Sequence, residues 1–179
     1  DALKTIVPYV ANNPGNGLPM ENNVFPLVNY AWPFYTTNNK SNDDATYENQ
    51  KRWDTLYQNW YKAGRAYRDM DTIDGTPNPV FRRWLEHPDY DAYWQAMTPQ
   101  REEYADIDFP VLAVTGYFDG GRVGVQHYYD QHLRYNPQAD HTILIGPFEH
   151  LSINRGVVRQ IEGYDLDQAA LVDLQALRY

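Results

Sequence analysis

Two apolar runs constrain this chain more than anything else in it. "PVLAVTG" (Pro110–Gly116) and "HTILIG" (His141–Gly146) are short, apolar and stopped by glycine, the pattern of buried strands. Between them, Gly121–Leu133 carries Val125, Tyr128, Tyr129 and Leu133 on one helical face, and "NPQAD" turns the chain. Strand, helix and strand over about 35 residues make a βαβ unit, which calls for parallel pairing and a right-handed crossover.

The rest of the chain is read around that unit. "LKTIVPYVA" (Leu3–Ala11) is a third β-like run, closed by the turn signals of "NNPGNG". Val24–Tyr35 is aromatic-rich and holds Pro26 and Pro33, which suits one or two short helices or an irregular lid. Asp44 is placed to cap a long helix over Ala45–Met70, where Trp53, Leu56, Tyr57, Trp60 and Tyr61 recur at helical spacing. "DTIDGTPNP" breaks that helix, short helices follow over Val80–Leu85 and Asp89–Met97, and Leu166–Leu177 reads as a last one. The class is α/β. Parallel sheets are normally covered on both faces, and three parallel strands with so large a helical insertion make a poor sheet alone. The chain is therefore expected to be part of a larger α/β domain.

Composition excludes several kinds of chemistry. There is no cysteine, so disulfides, thiolate-bound zinc and thiol nucleophiles are ruled out. The net charge is −9 with no basic run, which argues against nucleic acid or an anionic membrane as a partner. No apolar run approaches the roughly 18 residues of a membrane helix.

Functional groups of open parallel sheets gather beyond the carboxyl ends of the strands. Asp119 follows the first run in "GYFDGG", and His150 follows the second in "GPFEH". Adjacent parallel strands lie about 4.8 Å apart, so their loops can bring a carboxylate to an imidazole nitrogen. There the acid would hold one tautomer and stabilise the imidazolium formed during proton transfer. The plainer alternative is that Asp119 caps the following helix and His150 is an ordinary loop histidine. A triad also needs a nucleophile. The chain has two serines, Ser41 in "NNKSNDD" and Ser152 in "EHLSIN", and neither sits in a Gly-x-Ser-x-Gly elbow.

"VLAVTGYFDGG", a helix and then "ILIGPFEH" resemble the X-prolyl dipeptidyl-peptidase and cocaine-esterase-like (peptidase S15-type) group of α/β-hydrolases. That group carries Gly-(Trp/Tyr)-(Tyr/Phe)-Asp and Gly-Pro-(Trp/Tyr/Phe)-x-His at these strand ends. "WLEHPDYDAYW" (Trp84–Trp94) is similar to its cap segment. The resemblance implies a partial α/β-hydrolase fold of about three parallel strands, with residues 1–11 and 101–179 as core and 12–100 as a helical cap insertion over the active site. It implies Asp119 as triad acid and His150 as general base, with no cofactor or metal. The nucleophilic serine and the oxyanion hole would lie before Asp1, and a jelly-roll domain would follow Tyr179, so the chain alone would be inactive. The substrate would be an ester or amide, such as an X-Pro peptide or an acyl side chain, in a pocket lined by Trp32, Phe34 and Trp53. The α-amino ester hydrolases of the group carry extra acids just after the triad Asp. Gly120 and Gly121 stand there instead, which argues against that branch. Asp43, Asp44 or Glu48 could still meet a substrate ammonium group.

Two other readings compete. One is a metal hydrolase built from His127, His132 or His141 with Asp130, although His127 and His132 are five apart and do not stack as i, i+4 ligands. The other is a non-catalytic binding module using the aromatic face of Trp53–Tyr67, a pattern that is far more often a face packed against a core.

Overall fold

A computed structural model of the chain describes residues 3–37, 40–152, 156–173 and 176. They divide into two compact units, Pro19–Asp91 and Asp1–Leu18 with Ala92–Tyr179. Residues 12–18 and 92–100, expected in the insertion, thus belong to the unit that holds the strands. Among the described residues no helix is long and apolar enough to cross a membrane.

The Pro19–Asp91 unit is helical. A 3-10 turn over Leu27–Tyr30 leads into α1 (Trp32–Thr36), followed by α2 (Asp44–Tyr47), α3 (Gln50–Ala63), α4 (Met70–Asp74) and α5 (Pro79–Leu85). The long helix expected over Ala45–Met70 is broken in two places. Asn49 restarts the helix by accepting the Arg52 N–H at 3.1 Å, and α3 stops at Gly64. The cap of α2 is Asp43, one residue before the expected Asp44. Its carboxylate accepts the Thr46 N–H at 3.0 Å and the Thr46 hydroxyl at 2.9 Å, the bonds an N-cap supplies to a helix start.

This unit has an aromatic core of Tyr30, Ala31, Phe34, Trp53, Leu56, Met70 and Phe81, all buried. Tyr30 meets Phe81 edge-on at 5.0 Å between ring centroids, the orientation that places a positive ring edge on a negative face. The polar edges of Trp53 and Tyr30 both find partners. Trp53 Nε1–H donates to the Tyr47 carbonyl at 2.9 Å and the Tyr30 hydroxyl to Asp74 at 3.1 Å. Burial, reinforced by Asp74, pushes the Tyr30 phenol well above its ordinary pKa, so it remains a donor. Arg52 donates to both oxygens of Asp74, at 3.1 and 2.9 Å, and lays its guanidinium over the Trp53 ring at 4.3 Å.

Asn78 ties α5 to that core. Its side chain accepts the Phe81 N–H at 3.1 Å and donates to the Tyr30 carbonyl at 3.0 Å, both buried. Asn78→Ala removes a cap and strands a buried carbonyl, each costing about 1 kcal/mol or more. The variant should lose about 2 kcal/mol, read as a lower urea midpoint at unchanged slope.

The second unit holds α6 (Ala92–Gln95), β1 (Val111–Gly116), α7 (Arg122–Tyr135), β2 (His141–Gly146), β3 (Gln160–Ile161) and β4 (Tyr164–Asp165). β1 and β2 pair in parallel from Val111↔His141 to Gly116↔Gly146, so their carboxyl ends are level. The expected third strand is not continuous. Residues 3–11 run along β1 through isolated parallel bridges at Ile6↔Val111 and Tyr9↔Val114. Ile6 N–H donates to Pro110, Leu112 to Ile6, Val114 to Pro8 and Val10 to Val114, at 2.9 to 3.3 Å. The rung absent from this alternation is the one Pro8 would donate, and proline has no N–H. The register nevertheless does not slip, and β1 lies between the two neighbours with most of its residues buried.

α7 lies close to the segment before it. Val125 is buried, and the Tyr128 hydroxyl donates to the Asn12 carbonyl at 2.9 Å. β3 and β4 form a short antiparallel hairpin in a stretch with no apolar run to mark it. Its turn is Glu162-Gly163, both at positive φ, which is the geometry of a two-residue hairpin loop. Of the expected helix Leu166–Leu177, Gln168–Ala170 forms a 3-10 turn and 171–173 is extended or irregular. Residues 174, 175 and 177 lie outside the described residues.

Candidate active site

The level ends of β1 and β2 set up the site. Beyond Gly116 and Gly146 the two chains stay zipped, because Tyr117 N–H donates to the Gly146 carbonyl at 2.8 Å and Phe118 N–H to the Phe148 carbonyl at 3.1 Å. Glycine is needed on both strands here. A Cβ on Gly116 would overlap the Phe148 carbonyl, and one on Gly146 would overlap the Phe148 ring. Phe148 is buried between them and packs on Val114. The loops are therefore locked to each other by backbone bonds and one aromatic ring.

Asp119 and His150 emerge from this lock facing each other. His150 Nδ1 lies 3.2 Å from Asp119 Oδ2 and 3.3 Å from Oδ1. A carboxylate only accepts, so Nδ1 carries a proton, and in the neutral ring Nε2 carries the lone pair. The Asp119 side chain is 2% exposed and that of His150 is 58% exposed. Water thus has little access to compete for the acid, while the imidazole presents itself to solvent. Asp119 Oδ1 also accepts the Gly121 N–H at 2.7 Å, at the start of α7. That bond closes a turn leading into α7, whose N-cap is Gly121 with no side-chain cap, so Asp119 holds the approach to the helix rather than capping it.

Ser152 is committed to the same loop. Its Oγ accepts the Glu149 N–H at 2.8 Å and donates to the Glu149 carbonyl at 3.2 Å, and the residue is buried. It closes the turn that carries His150. This clamp was not legible in the serine's sequence context, and neither was the role of Gly116, Gly146 and Phe148. The two glycines at matched strand ends were the available signal.

The three aromatic residues expected to line a substrate pocket all lie in the helical unit. Phe34 and Trp53 are 6% and 3% exposed and belong to its core, where they hold the helices together. Trp32 is half-buried and meets Tyr35 and Tyr47 edge-on. Of the histidines weighed for a metal, His132 and His141 do meet, Nδ1 to Nδ1 at 3.0 Å, beside the amino-terminal edge of the sheet. Among the described residues no group of three or more His, Asp or Glu side chains could hold a metal ion.

The family model for X-Pro dipeptidyl-peptidases (S15) matches residues 1–152. The chain belongs to the S15 family. No curated protein matches the sequence. The S15 assignment carries an α/β-hydrolase-like fold, and the parallel β1–α7–β2 arrangement is consistent with it. It also carries a function of the serine hydrolase type. The S15 match spans both strand ends and includes Asp119 and His150.

Proposed function

We propose that the chain contributes the acid and the base of a Ser-His-Asp triad that cleaves ester or amide bonds, with X-Pro peptides as the amide substrates. The observation that carries this is the hydrogen bond of His150 Nδ1 to a buried carboxylate, which in the neutral ring leaves Nε2 of an exposed side chain as the proton acceptor. In that state Nε2 takes the proton of a serine hydroxyl as the oxygen attacks the substrate carbonyl. Asp119 stabilises the imidazolium that results, and His150 returns the proton to the leaving group.

Neither serine of the chain suits the nucleophile. Ser152 is buried in its own turn, and Ser41 lies in a polar loop outside any elbow. The attacking serine is proposed to come from residues outside these 179, and the Pro19–Asp91 unit to be the helical insertion of the hydrolase fold.

The test uses the protein that carries this chain. It should hydrolyse an Xaa-Pro-p-nitroanilide or a p-nitrophenyl acyl ester and react with a serine-directed phosphonate. His150→Ala should slow both turnover and phosphonate labelling by at least 10³-fold, because the hydroxyl loses its base. Labelling at the wild-type rate in that variant would overturn the proposal.

A further inference from the structure

β2 pairs with β1 on one side, and residues 3–11 lie beyond β1, so among the described residues no strand pairs with the other edge of β2. The parity of the ladder says which groups that edge presents. The carbonyls of Asp140 and Gly146 accept from Val111 and Tyr117, at 2.8 Å each, and the register between them is unbroken. Even-numbered residues of β2 thus turn their N–H and C=O toward β1, and those of His141, Ile143 and Ile145 point the other way. What covers the strand lies on its two faces. α7 sits on the face of Val111, Ala113 and His141, whose side chains line one cavity with Val125 and His132. Val172 packs on the other face, with Val114 and Leu144. Neither closes the edge: Thr142 is exposed and Ile145 is 42% exposed, whereas most of β1 is buried.

Edge strands are normally blunted by a lysine, a proline, a bulge or an inward charge, because a row of unpaired N–H and C=O groups recruits other chains. "HTILIG" has no lysine, proline or carboxylate, and its even register leaves no bulge. Its one titratable residue is His141. Burial, with His132 adding in the same direction, pushes that pKa below its ordinary value, so the strand is uncharged at neutral pH. A chain of net charge −9 repels its copies in general, but not along this strand. The free groups also match themselves. A twofold axis through Ile143 runs two copies of β2 antiparallel, with Ile143 opposite Ile143 and His141 opposite Ile145. These are the outward-facing residues, so each pair exchanges both of its N–H···O bonds. A β-branched pair meets at the centre. Asp140, the charge next to the strand, falls opposite Gly146, so no like charges meet there.

We infer that the free edge of β2 is a dimer interface, at which a second copy of this chain adds its own β2 antiparallel. A twofold pairing uses up this edge on both copies and closes on itself. It also leaves the candidate active sites clear. Antiparallel strands point their carboxyl ends in opposite directions, so the two Asp119–His150 pairs lie toward opposite ends of the joined sheet. Nothing in this depends on the activity proposed for that pair.

Sedimentation equilibrium of the protein that carries this chain should show a dimer at micromolar concentration. Hydrogen exchange read residue by residue should find the amides of His141, Ile143 and Ile145 protected in that dimer. Ile143→Pro removes an N–H that faces away from β1, so the ladder to β1 is kept. The dimer loses one hydrogen bond from each copy and should weaken at least about tenfold. Ile145→Lys puts a charge on the edge at a position that is already exposed, and should weaken the dimer as well. In both variants the protection of the three amides should fall. A wild-type protein that stays monomeric, a dimer of undiminished strength in Ile145→Lys, or protection that survives in the monomeric variant would each overturn the inference. The last would mean that a strand of the same protein covers the edge. Ile145→Lys keeps the test decisive even if Ile143→Pro does not fold.

Discussion

Asp119→Asn in the protein that carries this chain will lower kcat about 10⁴-fold while leaving the fold intact. The two halves of that expectation have separate causes. An asparagine keeps a carbonyl oxygen where Asp119 Oδ1 accepts the Gly121 N–H at 2.7 Å, so the turn leading into α7 is kept. The other side-chain atom becomes an NH₂ and faces His150 Nδ1, at the position where Asp119 Oδ2 now lies 3.2 Å away. A donor there demands an acceptor, so Nδ1 must give up its proton and Nε2 must take it. The ring can then no longer accept a proton from a serine. The variant should show wild-type circular dichroism, a thermal midpoint within a few degrees of the wild type, and KM within about threefold. A kcat within tenfold of the wild type would show that the carboxylate only holds the turn before α7.

Phe148→Ala carries the largest expected effect on stability. The ring is buried, fills the space left by Gly146, and packs on Val114 in the centre of β1. Truncating a buried phenylalanine costs about 3–5 kcal/mol. A typical domain has about 5–15 kcal/mol in total, so this single change removes a large share. Chemical denaturation should show the midpoint falling with the slope unchanged. Activity should fall as well, because Phe148 is two residues from His150 and its carbonyl holds Phe118, the neighbour of Asp119, at 3.1 Å. Phe148→Leu separates the two effects. It should fold with a smaller loss and still reduce kcat, since a leucine does not reproduce the flat ring against Gly146. A loss below about 1 kcal/mol for the alanine variant would mean that the backbone bonds alone hold the two loops together.

Much of the site was readable from local pattern. The strands showed as short apolar runs, and the residues just past them are where parallel sheets collect functional groups, so Asp119 and His150 stood out. What failed in the helical unit failed for local reasons too. Asn49 and Gly64 are ordinary helix-end residues, and the aromatic spacing of Trp53–Tyr61 between them shows that a helix is there but not where it ends. Phe34 and Trp53 show the limit of such patterns. Their spacing said that one face is apolar, but burial put that face in the core of the helical unit. The expected third strand met a different limit. Its apolar character was visible, but a single Pro8 without an N–H removes one rung of its pairing with β1.

Order along the chain was enough to specify the βαβ unit, the carboxylate and the imidazole beyond its strands, and a sequence without cysteine, because each depends on residue type and near-neighbour spacing. The proton on His150 Nδ1, the Phe148 lock and the His132–His141 pair came from the folded molecule. Each joins side chains brought together by sheet register and rotamer, and hydrogen bonds depend on distances that composition and spacing do not contain.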